Sequence, residues 1–386
     1  MIKFGIPNIT KDETKAINKV LNSKWLTTGQ EVIDFEWNFK KYKKAKFATG
    51  VSSCTDALYL SLKSLNLRKG DEIISSAMTF CSAVNVIEHA GATPVLVDIK
   101  LDSLNIDPDK IEQKITKRTK AIIIVHFAGM PCEMDKILKI VKKYNLKLIE
   151  DCAHSIETTY KGVHTGNFGL MGCFSFYANK NITTAGEGGM ILCKSKKNDQ
   201  YFKKLRLHGM SKEAWQRFDI KKNYHNYDLE FTGFKSNMTN VQASMGNAQL
   251  IKINKLWKSR KKIYLRYQKF FENYDVKTQK FGDNFKDYKH AYHLFVIYFK
   301  KNKNNNIRNK LINYLKKNKI GFGIHYRAIN DLKFYKKKYK WSKKTAPNAY
   351  HIGNNILSLP LQPDLTKNEQ DYILRKLKLF FQKQKI

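Results

Sequence analysis

Apolar positions along this chain recur in two rhythms that alternate. Helical spacing places Ile17, Val20 and Leu21 on one face of Lys11 to Leu21, and Thr10-Lys-Asp-Glu ahead of it resembles an N-terminal cap. Val32, Phe35 and Phe39 predict a second amphipathic helix over Val32 to Tyr42. Short apolar runs answer these helices. Phe47 to Asp56 reads as a strand turning into a helix from Ala57 to Leu65, and Gly70-Asp-Glu-Ile-Ile leads into the next strand. A helix over Cys81 to His89 and the run Gly91-Ala-Thr-Pro-Val-Leu-Val-Asp98 follow. Ala121 to His126 is almost continuously β-branched, as expected of a strand covered on both faces. Met134 to Tyr144 then predicts a crossover helix, Leu146 to Glu150 a strand, and Cys173 to Tyr177 an alternating strand. Strands parted by helices predict an α/β fold built on a mainly parallel, helix-covered sheet. Ligands of such sheets sit beyond the C-terminal strand ends, where Phe80, His126, Asp151 and Lys180 fall.

Past Cys193 the rhythm changes. Tyr201 to Leu207 is helical and His208-Gly209 ends it; Ser211 to Tyr227, polar and aromatic, predicts an ordered loop or lid. Val241 to Leu250 reads as a helix, and a long helix follows to about Phe271. Strands are expected over His293 to Phe299, Ile320 to Tyr326 and Asn355 to Leu359, with helices over Ile307 to Asn318 and from Glu369. The expected division is a large domain over 1–250 and a small C-terminal α+β domain over 251–386.

A chain of 386 residues with 42% hydrophobic and 12% aromatic residues can build such cores. Six scattered cysteines show neither a disulfide framework nor metal-ligand spacing, so no metal is expected and a reduced, cytoplasmic setting is. No apolar run is long enough to span a bilayer, so no membrane insertion is expected. The formal charge of +38 comes from 71 Lys plus Arg against 33 Asp plus Glu. The basic residues are spread along the chain and no nucleic-acid-binding pattern accompanies them, which argues against a nucleic-acid partner and suits an anionic substrate.

The stretch from Leu148 to Met190 carries the chemistry. Asp151 stands at one strand end, and Lys180 stands just past the next, ahead of Gly186, Gly188 and Gly189. An aldehyde cofactor with a basic ring nitrogen needs this pair: the amine forms the Schiff base, and the carboxylate keeps the ring nitrogen protonated. Ser53-Cys-Thr-Asp56, small and hydroxyl residues opening a helix, offers unpaired N–H groups and the positive end of the helix dipole to a phosphate.

Taken together these residues resemble the DegT/DnrJ/EryC1/StrS family of pyridoxal-phosphate sugar-nucleotide aminotransferases, enzymes of fold type I. The matching segments run in family order through Trp25-Leu-Thr-Thr-Gly29, Ser53 to Leu58, Gly70 to Ile74, Met78-Thr-Phe80 and Gly91 to Val95. Glu150-Asp-Cys-Ala-His154, Cys173 to Lys180, Gly186 to Gly189, His208-Gly209, Phe234 to Asn240, His325-Tyr326 and Ser358 to Pro360 complete them. The resemblance implies pyridoxal 5'-phosphate (PLP, or PMP in its amino form) as cofactor. It implies Lys180 as the Schiff-base lysine, Asp151 on the pyridine nitrogen, His154 at the ring oxygen and Phe80 over the ring face. Thr55, Asp56 and Ser175 correspond to the phosphate cradle. A homodimer is implied, with active sites at the subunit interface, where Lys235 or Asn237 reaches the neighbouring phosphate. Many relatives carry Asn and Arg at those two positions. Trp25, Thr28, His208, His325 and Tyr326 are the substrate-side candidates.

Two departures stand out. Cys54 occupies a position often held by glycine or another small residue, and Asn179 one where threonine is frequent. The implied reaction moves an amino group from an amino acid, glutamate by resemblance, to a keto group of a nucleotide-linked deoxy sugar, leaving 2-oxoglutarate. C4 is expected ahead of C3, and the setting is bacterial surface glycan synthesis such as O-antigen or lipopolysaccharide. A histidine at position 180 would signal a PLP-dependent sugar dehydratase, and an intact lysine–aspartate pair speaks against a non-catalytic regulator.

Overall fold

The computed structural model describes residues 1–211, 227–281, 287–299 and 307–386. It opens with α1 (Lys11–Ser23), α2 (Gln30–Lys43), β1 (Phe47–Val51), α3 (Cys54–Lys63), β2 (Glu72–Ser76), α4 (Ser82–His89), β3 (Thr93–Val97) and β4 (Thr119–Val125). Next come α5 (Met134–Lys143), β5 (Lys147–Asp151), the short β6 (Thr159–Tyr160) and β7 (Val163–His164), β8 (Met171–Ser175), β9 (Gly189–Cys193) and α6 (Lys196–Leu205). The helix starts follow local chemistry. Thr10 caps α1 with Glu13 reaching back to the Thr10 N–H, and Ser53 caps α3 by accepting from the N–H of Asp56.

Seven strands form the main sheet in the order β1-β9-β8-β5-β4-β2-β3. Pairing is parallel from β3 through β2, β4 and β5 to β8, while β9 lies antiparallel to both β8 and β1. Side chains on both faces are buried, as helices on either side of the sheet require. Register does the positioning: Val125 pairs with Asp151, Asp151 with Cys173, and Ser175 with Gly189. The C-terminal ends of β4, β5 and β8 are thereby aligned along one edge of the sheet.

The C-terminal part is a smaller α+β unit. Helix α7 (Asn240–Ile251) leads into α8 (Ile253–Phe271), followed by β10 (Lys277–Thr278), β11 (Tyr288–Lys289), β12 (Phe295–Tyr298) and α9 (Ile307–Lys317). Then come α10 (Lys333–Tyr339), α11 (Pro347–Asn355), β13 (Ile356–Leu359) and α12 (Lys367–Gln384). Strand β12 sits between β10 and β13, and Tyr267, Phe271, Phe295, Leu357 and Phe381 form the core around them. Ile2 packs into this core from the far end of the chain. Helix α8 joins both units: Ile253 and Leu256 pack with the sheet's α2 face, whereas Tyr267 and Phe271 belong to the smaller core.

One expected strand is absent. Ile320 to Tyr326 makes isolated bridges, Ile320 to Ile2 and Gly323 to Ser358, but no ladder. Gly321 and Gly323 lie so close to the Ile2–Phe4 backbone and to His325 that any Cβ would collide, and this tight approach replaces regular pairing. Most of the expected lid, Ser211 to Tyr227, lies outside the described residues. Among the described residues no helix is long and apolar enough to cross a membrane.

Candidate active site

Burial shapes the chemistry at the aligned strand ends. Asp151, the last residue of β5, is 4% exposed, and its Oδ1 accepts the Ala153 N–H at 3.0 Å and faces the Cys54 thiol at 3.9 Å. Burial raises its carboxyl above the usual range, against the pull of the Ala153 N–H and of Lys180. Lys180 lies in the turn after β8, its N–H bonded to Tyr177 O at 2.9 Å. Burial pushes its ammonium down to about 8, and Asp151 partly opposes that shift. Asp151 makes no ion pair among the described residues, so this acid suits a cation brought by a ligand.

The expected anion cradle lies where two elements approach closely. Gly189 pairs with Ser175, and a Cβ on Gly189 would lie 2.4 Å from Ser53 C and O and 2.8 Å from Cys54 N. The start of β9, paired with the end of β8, is thus pressed against the N-terminus of α3. Ser52 and Ser53 both donate their hydroxyls to Asp56, which holds that acid at the helix start and turned toward its own cap. Thr55 is exposed in the first turn, and Ser175 is buried with its Oγ accepting the Tyr177 N–H at 3.3 Å. Segment 235–237 runs alongside: Ser52 N bonds Ser236 O at 2.8 Å, and Val51 bridges Asn237. Lys235 donates to Asn237, and Asn237 donates to Thr28. Within one chain, therefore, this segment is already moored beside the cradle.

His154 is buried with both nitrogens engaged. Nδ1 accepts the Ala128 N–H at 3.2 Å, which puts the ring proton on Nε2, 3.0 Å from the Tyr326 hydroxyl oxygen. His154 therefore donates to Tyr326, and the Tyr326 O–H is left to donate elsewhere. Burial first, and then Lys180, hold His154 well below the usual histidine range, so the ring is neutral. Phe80 is 55% exposed, its ring 5.8 Å from that of Tyr326. His325 stacks on Phe4 and bonds Ser358 Oγ at 2.9 Å; burial and Lys180 bring it down to about 4.

Other substrate-side candidates are turned to structural work in the single chain. Trp25 folds back so that Nε1 bonds Thr28 O at 3.1 Å. The buried Thr28 hydroxyl donates to Met238 O at 2.7 Å and accepts from Asn237 at 2.8 Å. His208 sits exposed in the turn after α6, its N–H bonded to Phe234 O.

Sequence reasoning missed His293. Its ring lies 4.3 Å from that of His154, and its Nδ1 is 2.9 Å from Asn181 Oδ1, the residue after Lys180. Asn181 is tied in turn to Glu157, which ion-pairs with Arg260. The signal available was a histidine directly ahead of the Phe295 strand, at the same edge as the lysine.

His126, Glu150 and Cys152 lie close enough to suggest a metal. The donor atoms of His126 and Glu150 are already occupied: His126 Nε2 bonds Glu150 Oε2 at 3.0 Å, and His126 Nδ1 accepts the Cys132 N–H. Glu150 also accepts the N–H groups of Gly166, Phe168 and Gly169 at 2.8 Å each. The cluster is a satisfied polar knot beneath Asp151.

The model of the DegT/DnrJ/EryC1/StrS aminotransferase family matches residues 7–378. The uncharacterized protein MJ1066 of Methanocaldococcus jannaschii is 41% identical over 366 residues, 94% of this chain and 93% of that protein. The spore coat polysaccharide biosynthesis protein SpsC of Bacillus subtilis is 38% identical over 374 residues, covering 97% and 95%. Among solved structures, the PMP form of Spr1654 from Streptococcus pneumoniae, assigned as a sugar aminotransferase, superposes with a TM-score of 0.92. It is 32% identical over 99% of this chain and 100% of that one, and its PLP form superposes with a TM-score of 0.90.

Proposed function

The chain belongs to the DegT/DnrJ/EryC1/StrS aminotransferase family, and from that premise we propose that it transfers an amino group from glutamate to the keto carbon of a nucleotide-linked deoxy sugar. The position is C4 in our reading, with C3 as the alternative, and the product feeds surface glycan synthesis. The SpsC and Spr1654 descriptions support a sugar substrate, and the PMP and PLP forms of Spr1654 support pyridoxal phosphate as the cofactor.

The residues present fit that cofactor. Asp151, buried and in no ion pair among the described residues, would hold the ring nitrogen, and His154 with Tyr326 would face the ring oxygen. Ser175, Thr55 and the N–H groups at the start of α3 would take the phosphate, pressed together by Gly189. A second copy of the chain would bring its own 235–237 segment to that phosphate. When bound, the cofactor supplies an electron sink that makes the α-proton of an amino acid removable.

The protein's part is positioning and proton transfer. Near neutral pH a sizeable share of Lys180 is the free amine, because burial has lowered it to about 8. Its Nζ takes the proton from the α-carbon of glutamate and later delivers one to the sugar carbon that carried the ketone. Burial works against the charge of Asp151 and a protonated ring nitrogen would favour it, while the neutral rings of His154, His293 and His325 add no charge that would deprotonate the lysine further. The observation that carries this reading is the placement of Asp151 at the end of β5 and of Lys180 in the turn after the neighbouring β8.

The test is direct. The purified protein should be yellow, its absorbance should change on adding glutamate, and Lys180→Ala should abolish that change while retaining cofactor. A variant that still transaminated would overturn the assignment. Turnover against a panel of nucleotide-linked 3-keto and 4-keto sugars decides the regiochemistry.

A further inference from the structure

A cavity of about 30 Å³ lies beside Lys180, where the N-terminal strand of residues, the turn after β8, α8 and the segment following β13 meet. Asn179, Lys180, Asn181, Arg260, His293 and Gln362 line it with polar groups. Three buried polar atoms among them have no hydrogen-bond partner among the described residues: Asn179 Oδ1, Gln362 Oε1 and Arg260 Nε. The rest of the Gln362 and Arg260 groups is fixed. Gln362 Nε2 donates to Lys3 O at 2.9 Å, which sets the amide so that its oxygen is the free end. Arg260 bonds Asn181 O and Glu157 through its two terminal nitrogens, and Nε is its one nitrogen without a partner among the described residues. Asn181 Nδ2 donates to Glu157 and Ala291 O, so its oxygen must accept from His293 Nδ1–H. His293 Nε2 therefore carries a lone pair.

Orphaned groups of both polarities in one cavity need an occupant that both donates and accepts, since each would otherwise cost about 1–3 kcal/mol. A cation is disfavoured by Lys180 and Arg260, and an anion by the two amide oxygens. Water meets both demands, and at ~10–15 Å³ each the space suits about two molecules. We propose that this cavity is a built hydration site, in which two waters join Arg260 Nε, Gln362 Oε1 and Asn179 Oδ1 and solvate the amine of Lys180. The waters then give the lysine a proton-exchange partner that belongs to no side chain. Of the groups around Lys180, Asp151 and Cys54 favour its charged form, while His154, His293 and His325 are neutral. Hydration is thus a support of the ammonium beside that of Asp151. The site is independent of which ketone the enzyme takes.

A crystal structure of the resting wild-type enzyme, at a resolution that shows ordered solvent, should reveal two waters within hydrogen-bond distance of the three orphaned atoms. A dry cavity, or Asn179 and Gln362 bonded to each other across it, overturns the site. Gln362→Met fills similar volume without an acceptor and should displace solvent there. In the cofactor-free protein, the pH midpoint of Lys180 modification by an amine-directed reagent, read by peptide mass spectrometry, should fall by about one unit in this variant. An unchanged midpoint would show that the waters, even if present, do not serve the lysine.

Discussion

Asp151→Asn drives two observables in opposite directions, which makes it the sharpest test of the site. Burial lowers Lys180 from 10.5 to about 8 while Asp151 pulls it back up. At about pH 7.5 such an amine is roughly one-quarter neutral, against roughly 0.1% for an unperturbed lysine. Removing the acid's charge should take the midpoint down by about one further unit, raising the neutral fraction to roughly three-quarters. Labelling of Lys180 in the cofactor-free variant should therefore run about three times faster near that pH. The cofactor-loaded variant should do the reverse. Without an anion for the ring nitrogen it loses a charge-assisted bond worth about 1.5–3 kcal/mol, so the glutamate half-reaction should slow by at least roughly ten- to a hundredfold. Competitive labelling measures the first effect and stopped-flow absorbance with glutamate the second. Slower labelling, or a half-reaction that accelerates along with labelling, would refute the assignment of Asp151 to the ring nitrogen.

Acid should unfold the protein from an unusual side. Burial holds His154 and His293 well below their ordinary 6.5, His164 and His290 at about 3 and His325 at about 4. Below 6.5 the unfolded chain binds protons that the fold refuses, so their contribution is complete above that pH. It is lost as pH falls through the window, by up to about 1.4 kcal/mol per residue per pH unit; urea midpoints that stay flat between about pH 7 and 5 would contradict this. Gly189→Ala puts a methyl group into the Ser53–Cys54 backbone, so about 1–3 kcal/mol of stability and much of the cofactor affinity should go together, by urea titration and equilibrium dialysis. Affinity unchanged in a folded variant would separate Gly189 from the cradle. Tyr326→Phe leaves the buried Nε2–H of His154 without its acceptor and should cost about 1–3 kcal/mol, whereas equal stability would show that this bond does not hold the ring.

The sheet was legible because each strand announces itself within its own residues. Ala121 to Val125 can hardly be anything but a covered strand, and the glycines and prolines bounding these runs mark where each one stops. Asp151 and Lys180 were legible for the same reason, since counting to a strand end needs no knowledge of the neighbouring strand. Ile320 to Tyr326 misled because an apolar run with alternating glycines looks extended in isolation. Its outcome depended on Ile2, more than three hundred residues away, arriving to occupy its edge. The partners of Thr28 and Trp25 were hidden in a related way: their hydroxyl and indole N–H bond Met238 and their own turn, which spacing cannot disclose.

What no local pattern could carry is the direction of the protons. That His154 is neutral, donates through Nε2 and leaves the Tyr326 hydroxyl free follows from one backbone N–H, that of Ala128, meeting Nδ1. Burial then acts in opposite senses on the two groups that matter most, raising the carboxyl of Asp151 and lowering the ammonium of Lys180. Both are drawn toward neutrality, and each limits how far the other can go. A protonated ring nitrogen against Asp151 would change that balance by supplying the positive charge that Lys180 otherwise provides, holding the acid as an anion against its burial. The lysine would then be free to act as a base without leaving a buried carboxylate unpaired, so the site is electrostatically complete only with its cofactor. That is a physical reason for Asp151 and Lys180 to stand at the ends of neighbouring strands.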